Sequence, residues 1–395
     1  MDNFNHLKSK ILQTIEYSAI SEILRVINKQ GMISLAGGLP APESFPIKII
    51  NELSNLVIKK YQAKAFQYSA TEGEKELRMA LVDYLKEKDI ETNWENIGIT
   101  SGSQQALDLI ARVFINKNDL IAVESPTYIG AIDAFAPYQP KYIQIKTDNN
   151  GIIPEDLEKI LKTKNIKFVY LIPTFQNPTG KTINLKRRQQ IAKILQKYKT
   201  LLIEDDPYSA LRYSGESLPA IKKFIPNQTI YISTFSKILA PGLRIGFYVA
   251  PKEILKLICT AKQTTDLHTN SFSQYIAAEY LKTGHLKKHL PKILLIYKKR
   301  LEAMLQALEK YFPKNFQWTK PEGGMFIWVE GPEKFDSLKT YWQAVDENVA
   351  YVPGEYFFVK KNFGKNTFRL NFTNVTEEKI EIAIKKLSQV IQKNL

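Results

Sequence analysis

The sequence predicts an α/β fold: a large three-layer domain with a mostly parallel central sheet, followed by a smaller α+β domain. Three observations lead there. Between about residues 97 and 250, short β-branched runs alternate with helical stretches. Those runs are apolar throughout and lack the every-second-residue pattern of a half-solvated strand, so helices must cover both sheet faces. Beyond residue 271 the pattern changes to long helical stretches with a few late strands. The length of 395 residues accommodates two or three domains at roughly 150 residues each.

Taken in order, residues 8–29 have the spacing of an amphipathic helix. An irregular stretch follows, from Ile33 through Leu39-Pro40 to Pro42 and Pro46, in which Gly37-Gly38 marks a turn or a close backbone approach. Strands are expected at 97–100, 120–124, 168–172, 200–204, 229–233 and 245–249, with helices such as 103–115 and 185–198 between them. A helical stretch from 271 to about 312 is expected to be interrupted near Pro291, because an interior proline removes a helix hydrogen bond. Strands at 325–329 and 367–372 and helices at 333–347 and 376–394 complete the smaller unit.

Composition excludes several classes. Hydrophobic residues are 44% and charged residues 24% of the chain, ordinary for a packed globular protein and unlike a disordered one. Cys259 is the only cysteine, so no intrachain disulfide forms, which fits a reducing compartment. His6, His268, His285, His289 and one thiol cannot build a structural zinc site, and no metal is expected. The formal charge of +15 invites a nucleic-acid or anionic-membrane reading. Its basic pairs, from Lys59-Lys60 to Lys385-Lys386, are instead spread from end to end, as on a solvated surface. No apolar run approaches the ~18 residues of a membrane span. The N-terminus lacks the apolar core and cleavage site of a signal peptide, so the chain reads as cytoplasmic, with neither membrane nor nucleic acid as partner.

In such sheets the ligand site lies beyond the carboxyl ends of the strands. After 97–100 comes Ser101-Gly102-Ser103-Gln104-Gln105, small residues opening a helix whose free amides and dipole suit an anion. After 120–124 comes Ser125-Pro126-Thr127-Tyr128, an aromatic at the same edge. After 168–172, Asn177-Pro178-Thr179-Gly180 supplies an amide within good turn chemistry. After 200–204, the carboxylates of Asp205-Asp206 end an apolar strand, which is costly unless something cationic meets them. After 229–233 comes Thr234-Phe235-Ser236-Lys237, with Arg244 shortly beyond. Lys237 is flanked by Phe235, Ile238 and Leu239, and an ammonium in apolar surroundings loses proton affinity and becomes a nucleophilic amine. A lysine for a Schiff base, a carboxylate for a pyridinium nitrogen and a phosphate cradle are what a pyridoxal phosphate enzyme needs.

With these motifs in hand, the chain resembles the fold-type I, pyridoxal 5'-phosphate-dependent aminotransferases of class I/II, within them the 2-aminoadipate and kynurenine group. The likeness runs from about Ile33 to Asn374: Leu35-Ala36-Gly37-Gly38-Leu39-Pro40, Tyr68-x4-Gly73-x3-Leu77-Arg78, Asn177-Pro178-Thr179-Gly180, Asp205-x2-Tyr208, Ser236-Lys237 with Arg244, and Arg369. The resemblance implies an aspartate aminotransferase-like fold. Residues 1–45 would form an N-terminal, substrate-lining segment packed on the small domain, 46–285 the large cofactor domain and 286–395 the small domain. It implies Lys237 as Schiff-base lysine and proton shuttle, Asp205 on the pyridine nitrogen, and Asn177 and Tyr208 on the ring's 3′-oxygen. Tyr128 would stack on the ring. Ser103, Gln104, Thr234, Ser236 and Arg244 would hold the phosphate. Tyr68 would reach the phosphate of the neighbouring subunit, which implies a homodimer. Arg369 would clamp the substrate α-carboxylate in a two-pronged fork, and Gly38 would lie against the substrate.

One departure bears on specificity. Relatives that take acidic side chains carry an arginine on the N-terminal helix, where Ser21 stands in this chain, with Arg25 one turn later. The expectation is therefore transamination between an α-amino acid and a 2-oxo acid, with an apolar, aromatic or broad amino donor. Two readings compete: a lyase on the same scaffold, and a DNA-binding regulator with an aminotransferase-like sensor. Against the regulator, the Gly-Gly-Leu-Pro motif by residue 37 leaves no room for a winged-helix domain ahead of it.

Overall fold

The structure, a computed structural model, describes residues 5–7, 9, 11 and 29–395. The helix expected over 8–29, Ser21 and Arg25 included, lies outside the described residues apart from residues 9, 11 and 29.

A seven-stranded sheet organises the chain. Its strands are β1 (Ile97–Thr100), β2 (Leu120–Glu124), β3 (Lys141–Ile145), β4 (Ile166–Leu171), β5 (Leu201–Asp205), β6 (Thr229–Thr234) and β7 (Gly246–Val249). The spatial order is β1-β7-β6-β5-β4-β2-β3. Strands β2 to β6 pair in parallel, while β7 runs antiparallel to both of its neighbours. The apolar runs are buried on both faces because side chains alternate. On β4, Phe168 and Tyr170 enter one core cluster, and Val169 and Leu171 enter another on the opposite face. Strand β3 is absent from the sequence-based expectation. Its Lys141-Tyr142-Ile143-Gln144-Ile145 is an edge strand, mostly only part-buried, and lacks the apolar signature of its neighbours.

The late strands form a separate antiparallel sheet of β8 (Gln317–Trp318), β9 (Phe326–Glu330), β10 (Val352–Pro353) and β11 (Thr367–Asn371), ordered β8-β9-β11-β10. Ile33–Ser34 pairs in parallel with Val349–Ala350. Backbone bonds from Leu35 N to Ala350 O and from Asn371 N to Leu35 O, both 2.7 Å, continue that anchorage. The Gly37-Gly38 turn is thereby held between the two sheets.

The expected break at Pro291 is wrong. One helix spans Ser271–Lys282 and the next His285–Tyr311, running through Pro291. The chain turns at Gly284, whose φ of +71° no helix accepts and glycine tolerates. The proline forfeits one hydrogen bond near the start of a 27-residue helix whose Leu286, His289, Ile293 and Tyr297 are buried, and the helix persists. Among the described residues no helix is long and apolar enough to cross a membrane.

Candidate active site

The antiparallel β7 explains how one loop can supply several groups. Strand β6 ends, and β7 begins, at the same sheet edge, so residues 235–245 fold back over that edge. Helix α1 (Ser103–Phe114) starts beside them after β1. There a cavity of about 330 Å³ opens between the two sheets. It is lined by Gly38, Ser103, Gln104, Tyr128, Asn177, Asp205, Tyr208, Thr234, Ser236, Lys237, Arg244 and Arg369. A larger cavity of about 450 Å³ lies behind Asp206 and contains none of these residues.

At one end is an anion cradle. Gly102 caps α1 at φ +79°, and a Cβ there would fall 2.4 Å from Arg244 Nη2. Arg244 Nη2 donates to Ser101 O at 3.1 Å, which brings the guanidinium to the helix N-terminus. Ser236 N donates to Thr234 Oγ1 at 3.1 Å, and the two hydroxyls lie 3.0 Å apart. Helix amides, three hydroxyls and a guanidinium together suit a phosphate dianion. Gln104 uses its side chain elsewhere, donating from Nε2 to Gly130 O at 2.6 Å beside Tyr128.

Lys237 Nζ donates to Gly38 O at 2.9 Å. Enclosure, and secondarily the positive charges of Arg369 and Arg244, bring its pKa down to about 8. Asp205 ends β5 at 2% exposure. Tyr170 donates its hydroxyl to Asp205 Oδ2 at 2.8 Å, while Oδ1 is buried without a partner. Burial, with a smaller contribution from Asp206, raises the Asp205 pKa to about 7 against the opposing effect of that hydrogen bond. A buried oxygen awaiting a donor, in the same cavity as an enclosed lysine and an anion cradle, fits a phosphorylated pyridine carrying N–H. Asp206 faces away, accepting from Tyr231 Oη at 2.6 Å and Ser209 N at 2.9 Å.

Arg369, on β11, donates from Nη1 to Asn177 Oδ1 at 2.8 Å and from Nη2 to Ala36 O at 2.5 Å. Its Nε is buried and unpartnered. Asn177 Nδ2 donates to Tyr208 Oη at 3.4 Å. Two residues missed by sequence reading complete this corner. Arg369 Cζ lies 4.2 Å from the ring centroid of Phe326 and 5.0 Å from that of Phe357. Phe326 also meets Tyr208 edge-on, and a Cβ on Gly38 would come within 2.9 Å of it. The paired glycines of Gly323-Gly324-Met325-Phe326 were the available signal. Tyr128 lines the cavity with its hydroxyl pKa pushed by burial up to about 12. Tyr68 is absent from this cavity. It is 80% exposed, and its ring meets His268 edge-on at 5.8 Å.

An α/β fold with an enclosed lysine, an open carboxylate, an anion cradle and a guanidinium fork at one sheet edge defines a cofactor-dependent enzyme of amino-acid chemistry. Comparison with known proteins names the family. The profile of aminotransferase class I and II matches residues 42–387, and the chain belongs to that family. It is 49% identical to aromatic-amino-acid aminotransferase 1 of Thermococcus litoralis, over 96% of this chain and 92% of that one. A kynurenine aminotransferase of Pyrococcus horikoshii, solved in complex with PMP, superposes with a TM-score of 0.96 at 46% identity, covering 100% of this chain and 99% of that one. LysN, the alpha-aminoadipate aminotransferase of Thermus thermophilus, was solved with N-(5'-phosphopyridoxyl)-L-leucine. It superposes with a TM-score of 0.92 at 35% identity, over 99% of this chain and 98% of that one. The aminotransferase fold and activity expected from the sequence are thus shown.

Proposed function

We propose that this aminotransferase binds pyridoxal 5'-phosphate in the cavity described and takes apolar or aromatic amino donors. The observation that carries the cofactor assignment is the unpartnered Asp205 Oδ1, buried in the same cavity as Lys237. When bound, the cofactor supplies an aldehyde that captures amines and a ring that takes up the electron pair left at Cα. Ser103, Thr234, Ser236, Arg244 and the α1 amides hold the phosphate. Asp205 faces the ring nitrogen, Asn177 and Tyr208 the 3′-oxygen, and Tyr128 the ring face. Lys237 Nζ is the proton carrier, and its lowered pKa brings the neutral amine within reach of neutral pH. Arg369 binds the α-carboxylate of amino and 2-oxo acids as a flat fork. Gly38 keeps the backbone close to the substrate.

For the side chain, Tyr128, Ile129, Phe326 and Val352 offer apolar surface. Among the described residues, Arg244, Lys237 and Arg369 are the cationic side chains lining the cavity, and all three have other tasks. The name of the Thermococcus relative points the same way. We read the enzyme as cytoplasmic and as a homodimer, in which the exposed Tyr68 completes the partner's phosphate site. Residues 46–285 would be the cofactor domain and 286–395 the small domain, with 1–45 lining the substrate.

A half-reaction screen tests this reading. Common amino acids are added singly to the pyridoxal form and absorbance is followed. Tyrosine, phenylalanine and leucine should convert it once and stop, glutamate more slowly. Conversion by acidic donors alone would contradict the donor assignment. Continued product formation without a 2-oxo acid would identify a lyase.

A further inference from the structure

We propose that Tyr170 is a positioning residue that keeps Asp205 an anion aimed at the pyridine nitrogen, and thereby keeps that nitrogen protonated. The inference rests on the proposed cofactor and on Asp205 as its ring partner.

The geometry is specific. Tyr170 sits on β4, one strand from Asp205, in a register that sets it opposite Ile203. Its ring is fully buried and its hydroxyl lies 2.8 Å from Asp205 Oδ2. Phe135 meets the ring edge-on at 5.8 Å and 87°, and also packs against Phe168 on the same strand face. Among the described residues, no other hydrogen bond reaches the Asp205 side chain. Among the described residues, the ionisable groups that act on it electrostatically are Asp206, Glu124, Tyr128, Tyr208 and Tyr170 itself, none of them a cation. A buried carboxylate with no cation paired to it tends to take up a proton. The Tyr170 hydroxyl opposes that tendency, because it donates to the charged form. If Asp205 instead took the proton, the ring nitrogen would lose its anionic partner and the ring would be a poorer electron sink.

A merely space-filling role would not call for the hydroxyl. The ring that meets Tyr170 edge-on is a phenylalanine, Phe135, which needs no hydroxyl to pack against, and a buried phenol oxygen must find a partner or destabilise its surroundings. Here its partner is the one carboxylate that lines the cofactor cavity from β5.

The test is a double-mutant cycle on the full-length protein. Apoenzyme of the wild type, Tyr170→Phe, Asp205→Asn and the double variant is titrated with pyridoxal phosphate. Each is also loaded with cofactor labelled with ¹⁵N in the ring, and the nitrogen shift is read at pH 7. Tyr170→Phe should weaken cofactor affinity by about tenfold, the scale of one hydrogen bond to a charged group, and move the nitrogen signal toward the unprotonated position. In the Asp205→Asn background the same change should have little effect. An equal loss in both backgrounds, or an unmoved nitrogen signal, would show a packing role and overturn the inference. If Asp205→Asn alone changes neither affinity nor shift, the cofactor reading of Asp205 fails instead. Should Tyr170→Phe not fold, Phe135→Leu loosens the ring's support. It should move the nitrogen signal in the same direction, and an unmoved signal there overturns the inference too.

Discussion

Lys237 Nζ donates to the backbone carbonyl of Gly38 at 2.9 Å, joining the loop after β6 to the Gly-Gly turn near the start of the chain. The contact places the amine in the cavity between the two sheets that Arg369 also lines. It also leaves the amine short of solvent and near two arginines, the physical origin of its weakened proton affinity.

That weakening has a signature in stability. The folded pKa of Lys237 is about 8, below the ordinary 10.5. Between those values the unfolded chain binds more protons than the folded one, so stability rises with pH. Relative to Lys237→Met, the wild-type apoenzyme should gain stability from pH 8 to pH 10.5, with a constant difference below pH 8. Urea unfolding across that range measures it, and a loss of relative stability over the same range would contradict the burial argument.

Arg369 is held flat by Phe326 and Phe357 and oriented by Asn177 Oδ1 and Ala36 O. Arg369→Lys replaces a fixed fork with a point charge. The KM for amino acids and for 2-oxo acids should rise by about tenfold or more, whatever the side chain, with a smaller change in kcat. Steady-state kinetics with several donors checks this, and an effect confined to one donor would point to side-chain recognition instead.

Gly102 permits the approach of Arg244 to the start of α1. In Gly102→Ala the Cβ would press on Arg244 Nη2 at 2.4 Å, on a backbone with φ of +79°. Strain of about 1–3 kcal/mol is expected in the fold. Displacement of the guanidinium should weaken cofactor binding by about tenfold, the scale of one hydrogen bond to a charged group. Cofactor titration and thermal unfolding separate the two effects. Unchanged affinity would mean that Arg244 is not part of the phosphate cradle.

The legible part of this protein was local. Apolar runs announced the buried strands, and the residues following each run are those that the fold gathers at one cavity, because parallel strands bring their carboxyl ends to one edge. What escaped depended on register between distant segments. Tyr170 reads as one more residue of a buried strand until β4 and β5 are aligned. Phe326 reaches Arg369 only through the pairing of β9 with β11. The polar edge strand β3 and the helix break at Gly284, rather than Pro291, were lost to the same cause: a local signal outweighed by packing. Tyr68 is exposed on the single chain, and no contact among the described residues bears on the role that the resemblance implies for it.

Covalent trapping reports whether Lys237 carries the cofactor. The protein is loaded with pyridoxal phosphate, reduced with borohydride, digested and mapped by mass spectrometry. A phosphopyridoxyl group is expected on the peptide containing Lys237, and its loss in Lys237→Ala. A stable adduct on a different lysine, or none at all in the wild type, would contradict the Lys237 assignment.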